Sequence, residues 1–261
     1  FRIGGPASYF LELENIEELR NVIEFSRKMN LYFFILGEGT NLLFADEGFD
    51  GLVIQLKGEF AKFSVEGEEI TAGAGVKLNG LVEELAKKGL AGLEFASGIP
   101  GSIGGAIVTN AGTKTGSIGD VTKEVKILSE EKVRILKSEE MDFSYRHCKL
   151  PDKAIVLEVK LGLKNGKKSD IMKKIKESLK DRKKNQPLST LNAGCVFRNP
   201  ETGEAGKLIE AAGLKGARIG DAEVSTKHAN FIINQGRAKA KDVYNLIKKI
   251  QETVKEKFNI D

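Results

Sequence analysis

The chain has no tryptophan, and only two of its 261 residues are cysteine, two are histidine and five are proline. Cys148 and Cys195 are too few for a disulfide framework, and the two histidines do not complete the spacing of a structural zinc site. The apolar runs are too short to cross a bilayer, and no signal-peptide pattern opens the chain. These absences predict a cytoplasmic protein in a reducing setting, with no metal and no membrane insertion.

A large charge of one sign is also missing, since 41 Lys and Arg oppose 37 Asp and Glu for a formal net charge of +4. The excess is local, because residues 164–184 contain ten basic and three acidic residues. Ile171, Ile175 and Leu179 recur there at four-residue spacing, which predicts an amphipathic helix whose lysines face solvent. No aromatic residues separate the lysines, so a nucleic-acid surface is the weaker interpretation and no nucleic-acid partner is expected.

Hydrophobic residues, in contrast, make up 41% of the chain, enough for one large packed domain or two modest ones. Asn15 and Glu18 form a capping-box signal for a helix reaching about residue 29, and Gly89 ends a second helix over 78–88. Further helices are predicted over 205–212 and at the end of the chain, with strands near 32–36, 52–56, 63–76 (a hairpin), 125–128, 133–136, 154–163, 196 and 229–234. This order predicts a β-rich first part and a smaller α+β second part, divided near 162–169.

A glycine loop at residues 37–41, with the sequence Gly-Glu-Gly-Thr-Asn, follows a predicted strand. Its two glycines let backbone N–H groups converge on an anion, and Thr40 and Asn41 add side-chain donors, so the loop suits phosphate oxygens. A tight turn explains the loop about equally well. It is not a Rossmann fingerprint, because the third glycine and the following helix are out of register.

The stretch 89–119 holds nine glycines among 31 residues. Glycines this dense cost conformational entropy, which favours backbone in close contact with a ligand over a purely structural role. A pyrophosphate-bearing cofactor gripped by both glycine stretches is therefore the hypothesis. The candidate cofactor-binding residues are Gly37, Glu38, Gly39, Thr40, Asn41, Ser97, Gly98, Ile99, Pro100, Gly101, Ser102, Gly104, Gly105, Asn110 and Gly112.

Cys195 lies in the segment 192–200, directly after a glycine that could expose its thiol. A small buried hydrophobic role is the commoner fate of a single cysteine. The thiol is mostly protonated at neutral pH, so it can donate a proton as well as attack an electrophile. Taken alone, Arg146 is better explained by a surface ion pair and His228 by packing.

Taken in order, these segments resemble the UDP-N-acetylenolpyruvoylglucosamine reductase family, flavoenzymes of peptidoglycan precursor synthesis. The resemblance implies an α+β fold, with an FAD-binding domain of the vanillyl-alcohol-oxidase (PCMH) type over residues 1–164 and a smaller α+β substrate-binding domain over 165–261. The first domain would comprise subdomains of about 1–50 and 51–164. The matching stretches, which cover nearly the whole chain, are 1–7, 37–41, 48–52, 92–112, 145–146, 193–197, 199–200, 213–216 and 227–231.

The resemblance also implies a reaction and roles for individual residues. NADPH would reduce FAD, hydride would pass to the β-carbon of a UDP-sugar enolpyruvyl ether, and an acid side chain would protonate the α-carbon. Arg146 matches the arginine that stabilises the enolate, and Cys195 takes the position of the proton donor, which is serine in many members. Asn199 and His228 match substrate contacts, and Lys215 matches a contact to the nucleotide diphosphate.

The chain departs from the family pattern in two places. The tyrosine-bearing loop of some members has no counterpart between Arg146 and Cys195, which is typical of the shorter subgroup. A catalytic glutamate is implied after the final helix, and no residue of 258–261 can be named for it. A monomer is favoured, with the oligomeric state open. The alternatives are another FAD-dependent oxidase or dehydrogenase of the same superfamily, and a non-catalytic nucleotide-sugar or nucleic-acid binding protein that uses residues 164–184.

Overall fold

The computed structural model describes the whole chain, residues 1–261, and confirms an α+β fold. Its helices are α1 (Ile16–Lys28), α2 (Leu78–Lys88), α3 (Ile103–Val108), α4 (Lys168–Asn185), α5 (Ala205–Ala211) and α6 (Ala240–Phe258). Its strands are β1 (Ala7–Leu13), β2 (Phe33–Leu36), β3 (Phe49–Leu56), β4 (Phe63–Glu66), β5 (Glu69–Gly73), β6 (Leu90–Ala91), β7 (Gly112–Thr113), β8 (Gly116–Ser117), β9 (Thr122–Ser129), β10 (Lys132–Lys137), β11 (Ile155–Gly162), β12 (Lys164–Asn165), β13 (Arg218–Ile219), β14 (Ala222–Val224) and β15 (Ile232–Asn234).

The chain divides into two compact units. We call residues 9–39 and 51–180 the sheet unit, and residues 1–8, 40–50 and 181–261 the terminal unit. The terminal unit is thus assembled from three separate stretches of sequence. The functional domain boundary that the sequence places at residues 164 and 165 stays a prediction.

The sheet unit is built on five strands in the order β10-β9-β11-β5-β4, each antiparallel to its neighbours. Alternate residues of the central strands, such as Val125 and Ile127 of β9, are fully buried, as expected for a sheet with one covered face. Helix α2 adds Leu78, Leu81 and Leu85 to the same hydrophobic core. The short helix α3 contacts β5 and β11, so the glycine segment before it is fixed to the central sheet.

A smaller sheet of the order β1-β3-β2 accompanies helix α1. Strands β2 and β3 are parallel, with Phe33 opposite Leu52, and a helix or loop must connect such strands. The Asn15 side chain accepts the Glu18 N–H at 2.9 Å and donates to the Glu18 carboxylate at 2.8 Å. This network fixes the start of α1 where the sequence predicts it.

The core of the terminal unit forms between helix α6 and the antiparallel sheet β13-β14-β15. The apolar side of α6 recurs every three or four residues at Val243, Leu246, Ile250 and Val254. Asp46 caps the N-terminus of helix α6, because its carboxylate accepts the N–H groups of Ala240 at 2.7 Å and Lys241 at 2.9 Å. The loop 40–50 is thereby attached to the longest helix of this unit.

Most predicted elements are confirmed, including helices over 16–29, 78–88 and 205–212, the final helix, and the hairpin that turns at Gly67 with a φ of +62°. Helix α3 was not predicted, since Gly104 and Gly105 lower its intrinsic helix propensity. The strand expected near residue 196 is a single bridge between Cys195 and Phe231. None of the helices combines the length and apolar character needed to span a membrane.

Candidate cofactor and substrate site

Within the sheet unit, the first glycine loop touches the second glycine stretch. A Cβ placed on Gly37 would lie 2.7 Å from the Ser102 hydroxyl oxygen, so only glycine fits there. Lys77 pairs with Ser102 in a β-bridge, and its ammonium lies 3.5 Å from the Glu38 carboxylate. Two stretches about sixty residues apart in sequence therefore form one surface, as the cofactor hypothesis requires.

The backbone donors of the second glycine stretch are largely used within the protein. The N–H of Gly98 donates to Asn79 Oδ1 at 2.9 Å, that of Gly104 to the Ala74 carbonyl at 2.8 Å, and that of Gly105 to Ser102 Oγ at 3.3 Å. A Cβ on Gly104 would also lie 2.9 Å from the Ala74 Cβ. Close packing against β5 thus explains part of the glycine excess that the sequence analysis attributed to a ligand.

The first glycine loop has a different hydrogen-bonding pattern. The N–H groups of Glu38 and Gly39 donate to no other group of the protein, and Gly39 has a left-handed φ of +64°. The Ser102 hydroxyl accepts a hydrogen bond from Gly105 and still has its own hydrogen to donate. Unused backbone donors, bare glycine Cα atoms and a hydroxyl fit the phosphates of a dinucleotide cofactor at this end of the stretch.

Arg146 is anchored to the carbonyls that follow helix α3. Its Nη2 donates to the Gly112 carbonyl at 2.8 Å, its Nη1 reaches the Asn110 carbonyl at 3.4 Å, and its guanidinium lies 5.5 Å from the Tyr145 ring centre. The residue itself has a left-handed φ of +54°, an uncommon backbone for arginine. Arg146 is therefore held by the glycine stretch and is not a freely moving surface cation.

Asn110 connects three parts of this region through a side chain that is almost fully buried. Its Nδ2 donates to the Ser144 carbonyl at 2.8 Å, and its Oδ1 accepts the Gly119 N–H at 3.0 Å. The sequence analysis treated Asn110 as a cofactor residue and missed this internal role. The sequence around Asn110 gives no signal of this role, because its partner Ser144 lies 34 positions away.

In the terminal unit, Cys195 stands on an ordered turn. The Asn192 side chain accepts the Gly194 N–H at 2.9 Å and donates to the Pro187 carbonyl at 3.1 Å, while Gly194 has a φ of +80°. The Cys195 thiol is exposed. The other cysteine, Cys148, is half-buried, and burial raises its thiol pKa to about 11. Accessibility therefore separates the two cysteines, and the exposure of Cys195 rules out the buried hydrophobic role that is commoner for a single cysteine.

The three predicted substrate residues lie around helix α5 of the same unit. Asn199 Oδ1 accepts the Ala205 N–H at 3.0 Å, which starts that helix. Lys215 pairs with Glu210 at 2.7 Å. These contacts fix the backbone beside each side chain and bring opposite charges to the end of α5.

His228 packs against Phe231 with ring centres 5.0 Å apart and against Gly206, where a Cβ would lie 3.2 Å from the imidazole. Burial lowers the pKa of His228, the positive charge of Lys215 lowers it further, and Glu204 and Glu210 partly oppose both. The ring is therefore neutral at pH 7. Its Nδ1 accepts the Asn230 N–H at 3.3 Å, which assigns the proton to Nε2.

Comparison with known proteins covers both units. A family model described as an FAD binding domain matches residues 7–136, and one described as the C-terminal domain of UDP-N-acetylenolpyruvoylglucosamine reductase matches residues 186–261. The first match contains both glycine stretches. The second contains Cys195 and the three predicted substrate residues.

Individual relatives carry the same name. The UDP-N-acetylenolpyruvoylglucosamine reductase of Moorella thermoacetica is 45% identical over 100% of this chain and 86% of its own length, and that of Bacillus subtilis is 41% identical over 100% and 87%. The crystal structure of UDP-N-acetylenolpyruvylglucosamine reductase from Thermus caldophilus superposes with a TM-score of 0.84 at 40% identity. The superposition covers 93% of this chain and 87% of the Thermus caldophilus chain.

Proposed function

The chain belongs to the UDP-N-acetylenolpyruvoylglucosamine reductase family, and from this membership we propose that it reduces UDP-N-acetylglucosamine enolpyruvate to UDP-N-acetylmuramate for peptidoglycan. The chain is an oxidoreductase with an FAD binding domain. We propose NADPH as the reductant. The observation that supports this chemistry most directly is Arg146, a cation held rigidly by carbonyls of the glycine stretch inside that FAD binding domain.

When bound, FAD would carry a hydride from NADPH to the β-carbon of the enolpyruvyl group. The protein's part is to bind the cofactor and fix it. Glu38 and Gly39 offer unused N–H groups to phosphate oxygens, and Lys77 adds a positive charge beside the same loop. Gly104 of the second stretch allows helix α3 to pack closely against Ala74, directly after β5.

Arg146 is assigned to the negative charge that builds up during hydride addition. A hydride arriving at the β-carbon pushes an electron pair toward the α-carbon and its carboxylate, which gives an enolate. A cation that is already fixed stabilises this charge without reorganising during the reaction. The bonds from Arg146 to the Gly112 and Asn110 carbonyls provide such preorganisation.

Cys195 is assigned to the proton that completes the reaction. Its exposed Sγ–H would protonate the α-carbon, so that hydride and proton together reduce the double bond and leave a thiolate. A thiol is a stronger acid than the serine hydroxyl that many family members carry there. The substitution preserves the role of the proton donor and adds reactivity toward alkylating agents.

We assign substrate binding to residues of the terminal unit. Lys215 would contact the diphosphate, and its bond to Glu210 would be exchanged for phosphate oxygens. His228 is neutral and presents its Nε2–H as a donor. Asn199 is the third residue that we assign to substrate binding, and its Oδ1 already accepts the N–H of Ala205 at the start of helix α5.

Separate measurement of the two half-reactions of Cys195→Ala tests this assignment. Anaerobic reduction of the flavin by NADPH is expected at the wild-type rate, while reoxidation by the enolpyruvyl substrate slows by about 10²-fold, the usual scale of a general acid. Cys148→Ala, which removes the half-buried thiol, is the matched control and leaves both rates unchanged. Equal slowing of both half-reactions in Cys195→Ala would contradict the proton-donor role.

A further inference from the structure

The segment that carries Cys195 is attached to the rest of the terminal unit by the side chain of Asn230. The Asn230 Oδ1 accepts the Phe197 N–H at 2.8 Å, and its Nδ2 donates to the Phe197 carbonyl at 2.9 Å. Asn230 is only 4% exposed, so water hardly competes with these two bonds. Both ends of one rigid amide are therefore used on the backbone of a single residue, two positions after the cysteine.

The backbone joins the same two segments at one further point. The Val196 N–H donates to the Asn230 carbonyl at 2.9 Å, beside the β-bridge between Cys195 and Phe231. No regular strand forms at residues 195–197. The Asn230 amide therefore supplies bonds that a strand ladder would otherwise provide.

The turn that contains Asn230 is fixed by bonds of its own. The Ser225 hydroxyl oxygen accepts the N–H groups of Lys227 at 3.2 Å and His228 at 3.4 Å. The Phe231 N–H donates to the His228 carbonyl at 3.0 Å. The Asn230 side chain takes no part in these bonds, so it joins an already ordered turn to the cysteine segment.

We propose that Asn230 is a positioning residue for Cys195, whose amide fixes the proton donor relative to the turn that carries His228. This inference rests on the proposed function, because it takes Cys195 as the proton donor and His228 as a substrate contact. Proton transfer requires the donor within hydrogen-bond reach, and a displacement of about 1 Å can slow a reaction by about 10²-fold. Asn230 acts on the protonation step through the cysteine segment.

A double-mutant cycle between Asn230→Ala and Cys195→Ala tests this role in the flavin-loaded full chain. The measured rate is reoxidation of the NADPH-reduced flavin by the enolpyruvyl substrate at saturation. Asn230→Ala alone should slow it by about 10-fold or more. In the Cys195→Ala background the same change should slow it by less than about 2-fold, because the proton donor that Asn230 positions is already gone.

Two further measurements on Asn230→Ala separate positioning from general damage. Flavin reduction by NADPH should keep its wild-type rate, and the substrate concentration for half-maximal reoxidation should be nearly unchanged, because the turn around His228 keeps its own bonds. Hydrogen exchange followed by mass spectrometry should be faster at residues 195–197, where the Phe197 N–H loses its acceptor.

Asn234→Ala is the matched control, because Asn234 is another buried asparagine of the terminal unit. Its Oδ1 accepts the N–H groups of Gly236 at 2.8 Å and Ala238 at 3.0 Å, ahead of helix α6. Loss of these bonds should lower the melting temperature about as much as Asn230→Ala does, with reoxidation within about 2-fold of wild type.

If Asn230→Ala does not fold, Asn230→Ser takes its place, because one hydroxyl cannot match both ends of an amide. Equal slowing in both backgrounds, or no slowing in either, would overturn the inference and leave Cys195 as the proton donor. Failure of the proposed function gives a different result, since Cys195→Ala would then reoxidise its flavin at the wild-type rate, and the positioning role would fall with it. Similar slowing in Asn230→Ala and Asn234→Ala would assign Asn230 to the fold alone.

Discussion

At the scale of single residues, asparagine side chains position the groups that we assign to chemistry. Asn110 joins the Ser144 carbonyl to the Gly119 N–H beside Arg146, and Asn192 joins Pro187 to the turn before Cys195. An amide suits these places because it offers a donor and an acceptor on one rigid group. The proposed catalytic side chains are therefore fixed by neighbours that need not touch the substrate.

Asn110→Asp tests this role, since aspartate has the same shape and tolerates the left-handed backbone of residue 110, with φ of +40°. The carboxylate cannot donate to the Ser144 carbonyl and would place two acceptors against each other in a buried position. We expect the free energy of unfolding in urea to fall by about 1–3 kcal/mol. We also expect turnover to fall more than flavin content, because the Asn110 side chain holds the Ser144 carbonyl, and Ser144 lies two residues before Arg146 in the same loop.

Asn79→Asp is the matched control for Asn110→Asp, because Asn79 contributes an acceptor, its Oδ1, to the Gly98 N–H. An aspartate oxygen can replace that acceptor, so stability should change little. A similar loss of stability in both variants would show that the added charge matters, and not the donor to Ser144.

Sequence reasoning finds residues such as Asn110 and Cys195 but not the partners that fix them. Asn110 was singled out because it ends a glycine stretch, while its partner Ser144 is remote in sequence. Arg182 was counted only as one of ten basic residues in an amphipathic helix, although the structure leaves it half-buried. Partial burial of one member of such a helix cannot be predicted from composition, because it depends on the segments that pack against the helix.

At the scale of elements, the glycines of the two stretches serve different purposes. Gly104 lies in helix α3, where a Cβ would meet Ala74 at 2.9 Å, whereas a Cβ on Gly80, exposed in helix α2, would meet nothing within 4 Å. The sequence shows where the glycines are concentrated. It does not show which of them pack against other segments and which could face a ligand, because that depends on the positions of β5 and α3.

A pair of alanine substitutions tests this division. Gly80→Ala should raise the free energy of unfolding by about 0.5–1 kcal/mol, because alanine favours the helix and has room for its methyl group. Gly104→Ala should lower it by about 1–3 kcal/mol, because the methyl group overpacks the contact with Ala74. Urea unfolding of both variants gives the two values, and equal signs would contradict the account of α3.

Helix α6 provides a test by pH. Hydrogen bonds from the Lys241 and Ala240 N–H groups lower the pKa of Asp46 below its ordinary value of 3.8. A lowered carboxyl pKa adds stability that is present above pH 3.8 and is lost as the pH falls through the lower value of the folded state. Asp46→Asn should therefore destabilise the protein near neutral pH and have a smaller effect in acid.

Thermal melting of wild type and Asp46→Asn from pH 7 down to pH 3 measures this difference. Asp152→Asn is the control, since Asp152 is an exposed loop residue far from any helix start. A destabilisation by Asp46→Asn that is independent of pH would show that the charge of Asp46 does not contribute.

At the scale of the whole molecule, the order of elements along the sequence does not show which segments form each of the two units. Periodicity and capping signals predicted the main helices and the central strands, because those signals are local. The terminal unit combines the first eight residues, residues 40–50 and residues 181–261, which no local pattern could reveal. Such assembly depends on contacts such as that between Asp46 and helix α6, nearly 200 positions apart.

Each unit nevertheless contains a recognisable part of the proposed chemistry. The sheet unit carries the glycine surface and Arg146, and the terminal unit carries Cys195, Lys215 and His228. The match to a single relative spans the whole chain, so these residues belong together in one enzyme family and not to separate binding modules. The alternative of a nucleic-acid binding protein that uses residues 164–184 gains no support from the comparisons.

The visible absorption of the flavin in an anaerobic double-mixing experiment tests the central claim most directly. The purified chain is mixed first with NADPH and then with UDP-N-acetylglucosamine enolpyruvate, and the visible absorption band of the oxidised flavin is followed throughout. The account predicts a yellow protein that bleaches with NADPH and regains its colour when the enolpyruvyl substrate arrives. A protein that binds no FAD, or whose reduced flavin is reoxidised by oxygen but not by this substrate, would contradict it.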